Sequence, residues 1–168
     1  MADNLHTSQE VIFDELTKLR TTILQNLSRY GRNATGETGR SMHIVMKPDG
    51  GTLYGRKFFD TLEIGRGPTI NPTPHHPTLF QRIMAWMEAK GVYADDGNNI
   101  SLAWAITKKI HAEGTLLHRE YKKSGRIQDI YTSAVQRAVT NINNRLLELA
   151  TTEVQTINLH FAEETKQL

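Results

Sequence analysis

The chain of 168 residues contains no cysteine. That excludes disulfides, thiolate nucleophiles and sulfur-ligated metals, and any metal would have to be held by histidine and carboxylate alone. Long apolar runs are missing too, since none approaches the roughly 20 residues needed to cross a bilayer. The opening residues, MADNLHTSQE, are polar and acidic, unlike a signal or transit peptide. Net charge is small, +2 with neutral histidines, too little on its own to indicate a nucleic-acid binder. Proline is scarce, with five residues, yet four of them fall in LEIGRGPTINPTPHHP, Leu62 to Pro77, beside two glycines and the pair His75-His76. That stretch is either a catalytic loop or a stiff connector, and the rest of the sequence has to decide.

What is present suits a soluble α+β chain: 38% apolar residues, mean hydropathy −0.47, and a length that fits one domain with one core. Thr7-Ser8-Gln9-Glu10 has the form of a helix capping box. Behind it Ile12, Leu16, Leu19, Ile23 and Leu27 form one apolar stripe, ending near Gly31. Arg32 to Gly39 reads as a polar loop. SMHIVMK, with Met42, Ile44 and Met46 on one face, predicts a strand. Pro48-Asp49-Gly50-Gly51 supplies a turn, and TLYGRKFF returns as the second strand of a hairpin. A third short piece, extended or helical, spans Thr61 to Ile64.

Thr78 caps an expected helix through Ala89, with Leu79, Ile83, Trp86 and Met87 on one side and Gly91 after its end. A loop, Ala94 to Asn99, leads to another helix from Asn99 or Ser101, lined by Leu102, Ala103, Ile106 and Ile110 and stopped at Gly114. Leu116 to Gly125 is basic and less periodic. A long helix is expected from about Gln128 to Ala150, with Ile130, Ala134, Ala138, Ile142, Leu146 and Leu149 inward. In VQTINLHF the alternation of Ile157, Leu159 and Phe161 predicts a strand, able to pair with the hairpin or with a neighbouring copy. The expected organisation is therefore long N- and C-terminal helices and two shorter ones on a small antiparallel sheet in residues 1–150, then a strand or arm in 151–168.

No reaction is specified by any motif. Adjacent histidines in an extended segment point in opposite directions, so His75 and His76 lack the convergent spacing of metal ligands. TGETGR and GRGP only loosely resemble phosphate loops: the Walker pattern, the dinucleotide fingerprint and the Gly-x-Ser-x-Gly elbow are all absent. The charge distribution is more informative. Lys108, Lys109, Arg119, Lys122, Lys123 and Arg126 face only Glu113 and Glu120 in that interval, whereas the end of the chain carries Glu148, Glu153, Glu163 and Glu164. A basic middle and an acidic tail suit head-to-tail pairing of copies. The residue 108–126 region also permits a nucleic-acid-binding reading, through phosphates and without base readout.

The order of the segments resembles the tail-completion (neck) proteins of tailed bacteriophages. The matching residues are Thr35, Gly36 and Ser41; Glu63, Gly65, Arg66, Gly67 and Pro68; Trp86, Lys90 and Gly91; and Ala103, Ile106, Ile110, Gly114 and Thr115. The resemblance covers about Ser8 to Thr115, and departs at the longer Thr69 to Pro77 insert and at the basic stretch before the last helix. It implies a virion protein without enzymatic activity or cofactor, assembled in the host bacterial cytoplasm. Such a chain would form a homo-oligomeric ring in the head–tail neck or the tail, between portal, adaptor and tail proteins, with genome DNA passing through the lumen. Contacts to neighbours are then expected from Gly65, Arg66, Gly67, Pro68, Pro72, Pro74, His75 and His76, from Arg119, Lys122, Lys123 and Arg126, and from Ile157, Leu159 and Phe161. A segment stiffened by proline loses little freedom when it docks.

Overall fold

The computed structural model describes residues 7–57, 59–70 and 76–164, with side chains through residue 157. Its elements are α1 (Ser8–Arg29), α2 (Glu37–Arg40), β1 (His43–Lys47), β2 (Gly50–Tyr54), α3 (Thr61–Ile64), α4 (Leu79–Lys90), α5 (Asn99–Glu113), α6 (Leu116–Ser124) and α7 (Thr132–Glu164). This is the α+β class that the periodicities predict. The chain divides into two compact units. The first takes residues 1–23, 43–54 and 131–168, and the second residues 24–42 and 55–130.

In the first unit, α1 starts as a reciprocal cap. The Thr7 amide donates to Glu10 Oε2 at 2.7 Å, and the Glu10 amide donates to Thr7 Oγ1 at 3.3 Å. Val11, Leu16, Leu19 and Ile23 form its buried face, so Val11 holds the place that the four-three spacing gives to Ile12. The hairpin is antiparallel, with His43 opposite Tyr54 and Lys47 opposite Gly50, leaving Pro48-Asp49 as a two-residue turn. His43 and Tyr54 stack with ring centroids 5.3 Å apart. Gly51 lets the hairpin approach α1, because a Cβ there would lie 2.6 Å from Leu16 Cδ1 and 2.8 Å from Met46 Sδ.

Within the same unit, Glu15 is buried on the apolar face of α1, and three side chains satisfy it. Lys18 Nζ donates at 2.6 Å, Arg145 Nη1 at 2.9 Å and Asn141 Nδ2 at 3.1 Å. Hydrogen bonds from Lys18 first, then Asn141 and Arg145, outweigh desolvation and hold its carboxyl below the usual range. The bonds from Asn141 and Arg145 therefore fasten α1 to α7, whose Ala134 and Ala138 are buried.

In the second unit, Leu27 and Ile130 are fully buried, with Met87, Ala103 and Leu117 also in the core. Thr78 and Gln81 form a capping box at the start of α4, and Gly91 ends it in the left-handed conformation, φ 64°. Asn98 caps α5 by accepting from the Ser101 amide at 3.1 Å. The two helices pack together, with Phe80 and Trp104 stacked at 4.7 Å. Trp86, by contrast, is exposed at the surface and Met87 points inward.

Five expectations are corrected. Val154 to Phe161 is no strand: it belongs to α7, which runs unbroken for 33 residues, about 50 Å at 1.5 Å per residue. No glycine or proline follows Gly125, so nothing in the sequence stops a helix once started. Thr151, Thr152 and Thr156 turn their hydroxyls back to the carbonyls four residues earlier, at 2.8 to 2.9 Å. The same helix begins at Thr132 rather than Gln128, because Gln128 to Ile130 is engaged with Glu63. Leu116 to Ser124, read as irregular, is helical, and the loop after α1 contains the short α2. The second strand ends at Tyr54, before the Gly55 that would have had to lie within it.

Candidate functional site

Two segments of the sequence, Glu63 to Pro68 and Gly114-Thr115, meet in the second unit. α3 ends at Gly65, which takes φ 76° and ψ 170°, a conformation that L side chains avoid. A Cβ there would collide with the backbone nitrogen of His118 and stand 2.5 Å from Thr115 Oγ1. Gly114, φ 80°, is the reciprocal position: its Cβ would sit 2.7 Å from the Arg66 carbonyl oxygen. Two glycines, 49 residues apart, thus let two backbones touch.

Once in contact, the backbones are joined by hydrogen bonds. The Arg66 amide donates to Thr115 Oγ1 at 3.0 Å, and the Thr115 amide donates to the Arg66 carbonyl at 2.8 Å. Thr115 also caps α6 by accepting from the His118 amide at 3.4 Å. Three residues further, the Thr69 amide donates to the His111 carbonyl at 2.9 Å. The Thr69 hydroxyl accepts from Arg66 Nη2 at 2.7 Å and lies 2.7 Å from His111 Nδ1. Thr69 and His111 stand as near as a nucleophile and its base would, yet the two bonds between them also fix the loop to the end of α5.

Glu63 secures the other end of α3. Its side chain is buried; Oε1 accepts from the Ile130 amide at 2.8 Å, and its own carbonyl accepts from the Gln128 amide at 3.0 Å. Arg32 Nε reaches Gln128 Oε1 at 3.0 Å and Asn26 Nδ2 reaches the Ile130 carbonyl at 2.8 Å. The residues that enter α7 are thereby tied to the Leu62–Thr69 segment.

Beside the clamp lies an open groove of about 720 Å³. Gly67, Pro68 and Ile70 line it together with His118, Lys122 and Lys123, and the ion pair of Arg119 with Glu113, 2.6 Å, also borders it. Cations dominate its rim. Among the described residues Arg66 has no carboxylate partner; burial first, and then the neighbouring Arg82 charge, lower its pKa. Arg66 Nη1, His118 Nδ1 and Arg119 Nε are buried without a hydrogen-bond partner among the described residues.

The structure therefore brings together Gly65, Arg66, Gly67 and Pro68 with Arg119, Lys122 and Lys123. Arg126 is exposed two residues beyond α6, where its amide donates to Ser124 Oγ at 3.2 Å. His76 is exposed, while Pro72, Pro74 and His75 lie outside the described residues. Ile157 is exposed on α7 in the other unit, and Leu159 and Phe161 are placed only as helix positions. No group of three histidines or carboxylates able to hold a metal occurs among the described residues, and none of their helices is long and apolar enough to cross a membrane. Thr115, Glu63, Thr69 and His111 were not singled out as site residues by the sequence. For Thr115 the signal was available, since Gly-Thr followed by Leu-Leu is a stop next to a start; for Thr69 and His111 there was none. Compared with family models, curated proteins and solved structures, the chain finds no match.

Proposed function

We propose that the chain is a structural protein of a tailed-phage particle, forming a ring at the head–tail junction or in the tail and joining portal or adaptor to tail components. One observation carries this reading. Two of the segments in which the sequence resembles the neck proteins, Glu63 to Pro68 and Gly114-Thr115, meet in a single clamp. Glycines, a backbone ladder and a shared hydroxyl present a fixed loop beside a charged groove, an arrangement suited to docking. A closed ring follows when one such patch meets a different patch on the next copy. Disruption of the coding sequence in the phage genome tests the reading: filled heads and separate tails should accumulate unjoined, or tails should fail to mature. Intact infectious particles would contradict it.

A second reading, nucleic-acid binding, is favoured by the exposure of Lys122, Lys123 and Arg126 together. It predicts DNA affinity that falls steeply with salt, with a slope reduced when these three are changed to glutamate.

A further inference from the structure

We infer that the groove beside the clamp receives the C-terminal half of α7 from a second copy of this chain. The inference rests on the ring reading and names the contact that closes the ring.

The donor surface is exposed among the described residues of its own unit. From Leu146 to Glu164, α7 contains Glu148, Glu153, Glu163 and Glu164 and neither lysine nor arginine. Along it Leu147, Ala150, Val154 and Ile157 follow each other at spacings of three, four and three, one stripe on a helix. All four are exposed, Leu147 by 67%, Val154 by 56% and Ile157 by 54%. An apolar stripe on a helix this acidic is a docking face. Pairing the stripe with itself on another copy would set like charges side by side, which disfavours that solution.

The acceptor surface has the complementary character. Pro68 and the 88% exposed Ile70 offer apolar contact, and Lys122 and Lys123 lie exposed around it with no carboxylate partner among the described residues. Arg66, next to Gly67, adds a cation with no carboxylate partner among the described residues. A phosphodiester backbone would use the cations and leave Pro68 and Ile70 in water, whereas an acidic amphipathic helix satisfies both. The groove and the stripe differ in kind, so the contact is heterologous, as ring closure requires.

Sedimentation velocity on the full chain tests this, with a charge swap. Lys122→Glu with Lys123→Glu should weaken self-association roughly tenfold or more, and Glu148→Lys with Glu153→Lys should do the same. Mixing the two variants should restore assembly, because each helix then meets a groove of opposite sign. Restoration in the mixture establishes the contact, since a merely structural role for these residues would leave both variants defective together. The inference is overturned if the wild-type chain stays monomeric over the whole concentration range. It also fails if groove reversal leaves assembly intact while Leu147→Asp with Val154→Asp abolishes it, the pattern of stripe-to-stripe pairing. Loss of DNA binding alone on groove reversal would overturn it as well. A ring that persists in the groove variants removes this contact and leaves the ring reading standing. Particles that join head to tail without the chain remove the ring reading instead.

Discussion

The buried carboxylate of Glu63 accepts from the amide of Ile130 at 2.8 Å. One side chain in the middle of the Leu-Glu-Ile-Gly run thus holds the approach to the longest helix. Its removal should cost about 2 kcal/mol, the usual penalty for stranding buried groups that share a charged partner. Urea unfolding of Glu63→Ala against Glu63→Gln checks this. Glutamine keeps an acceptor oxygen, so it should lose less. Equal losses would show that the bond to Ile130 contributes nothing.

Gly65 and Gly91 both have positive φ but different surroundings. Gly91→Ala, with open space around it, should cost about 1 kcal/mol from backbone conformation alone. Gly65→Ala adds a collision with the α6 backbone and should cost on the order of 3 kcal/mol. The ranking, measured in one denaturant series, is the prediction; a reversed order would mean the clamp is not closed in solution.

Thr115→Ser and Thr115→Val separate hydroxyl from methyl. Serine keeps the acceptor for the Arg66 and His118 amides and should stay within about 0.5 kcal/mol of the parent. Valine should lose about 1.5 kcal/mol, from an unmade cap and an unpaired amide. In hydrogen exchange, the Arg66 amide of the valine variant should be the one that opens most.

Glu15 gives a pH signature. Its carboxyl is held below the usual range by Lys18, Asn141 and Arg145. A depressed folded-state value contributes stability that is fully present above the unfolded value, about 4.3, and is lost as pH falls through the lower folded value. Glu15→Gln should therefore be destabilised by about 2 kcal/mol at neutral pH. The gap to the parent should narrow steadily below about pH 4. A gap independent of pH would place the effect in packing.

Much of the fold was legible because its signals are local. The cap at Thr7, the four-three stripe of α1, the hairpin turn at Pro48-Asp49 and the Thr78 to Gly91 helix each follow from residues within one or two turns of each other. The end of α7 was misread because Ile157, Leu159 and Phe161 alternate as a strand would, while Leu147, Val154 and Ile157 also keep helical spacing. Both periods fit so short a run, and continuity from Thr132 with no glycine or proline decided for the helix. In α6 the polar HREYKKS run hid a helix that buries little more than Leu117. The site was legible in its parts, and their meeting was not: Gly65 and Gly114 each read as a stop signal, and only contact between distant backbones shows why neither can carry a side chain.

The most direct test of the central claim is the position of the chain in the intact particle. Single-particle imaging of purified phage, with the chain labelled at its N-terminus, should place a fixed number of copies in one ring between portal and tail tube or within the tail. Particles of normal composition that contain no copy of the chain would contradict the account.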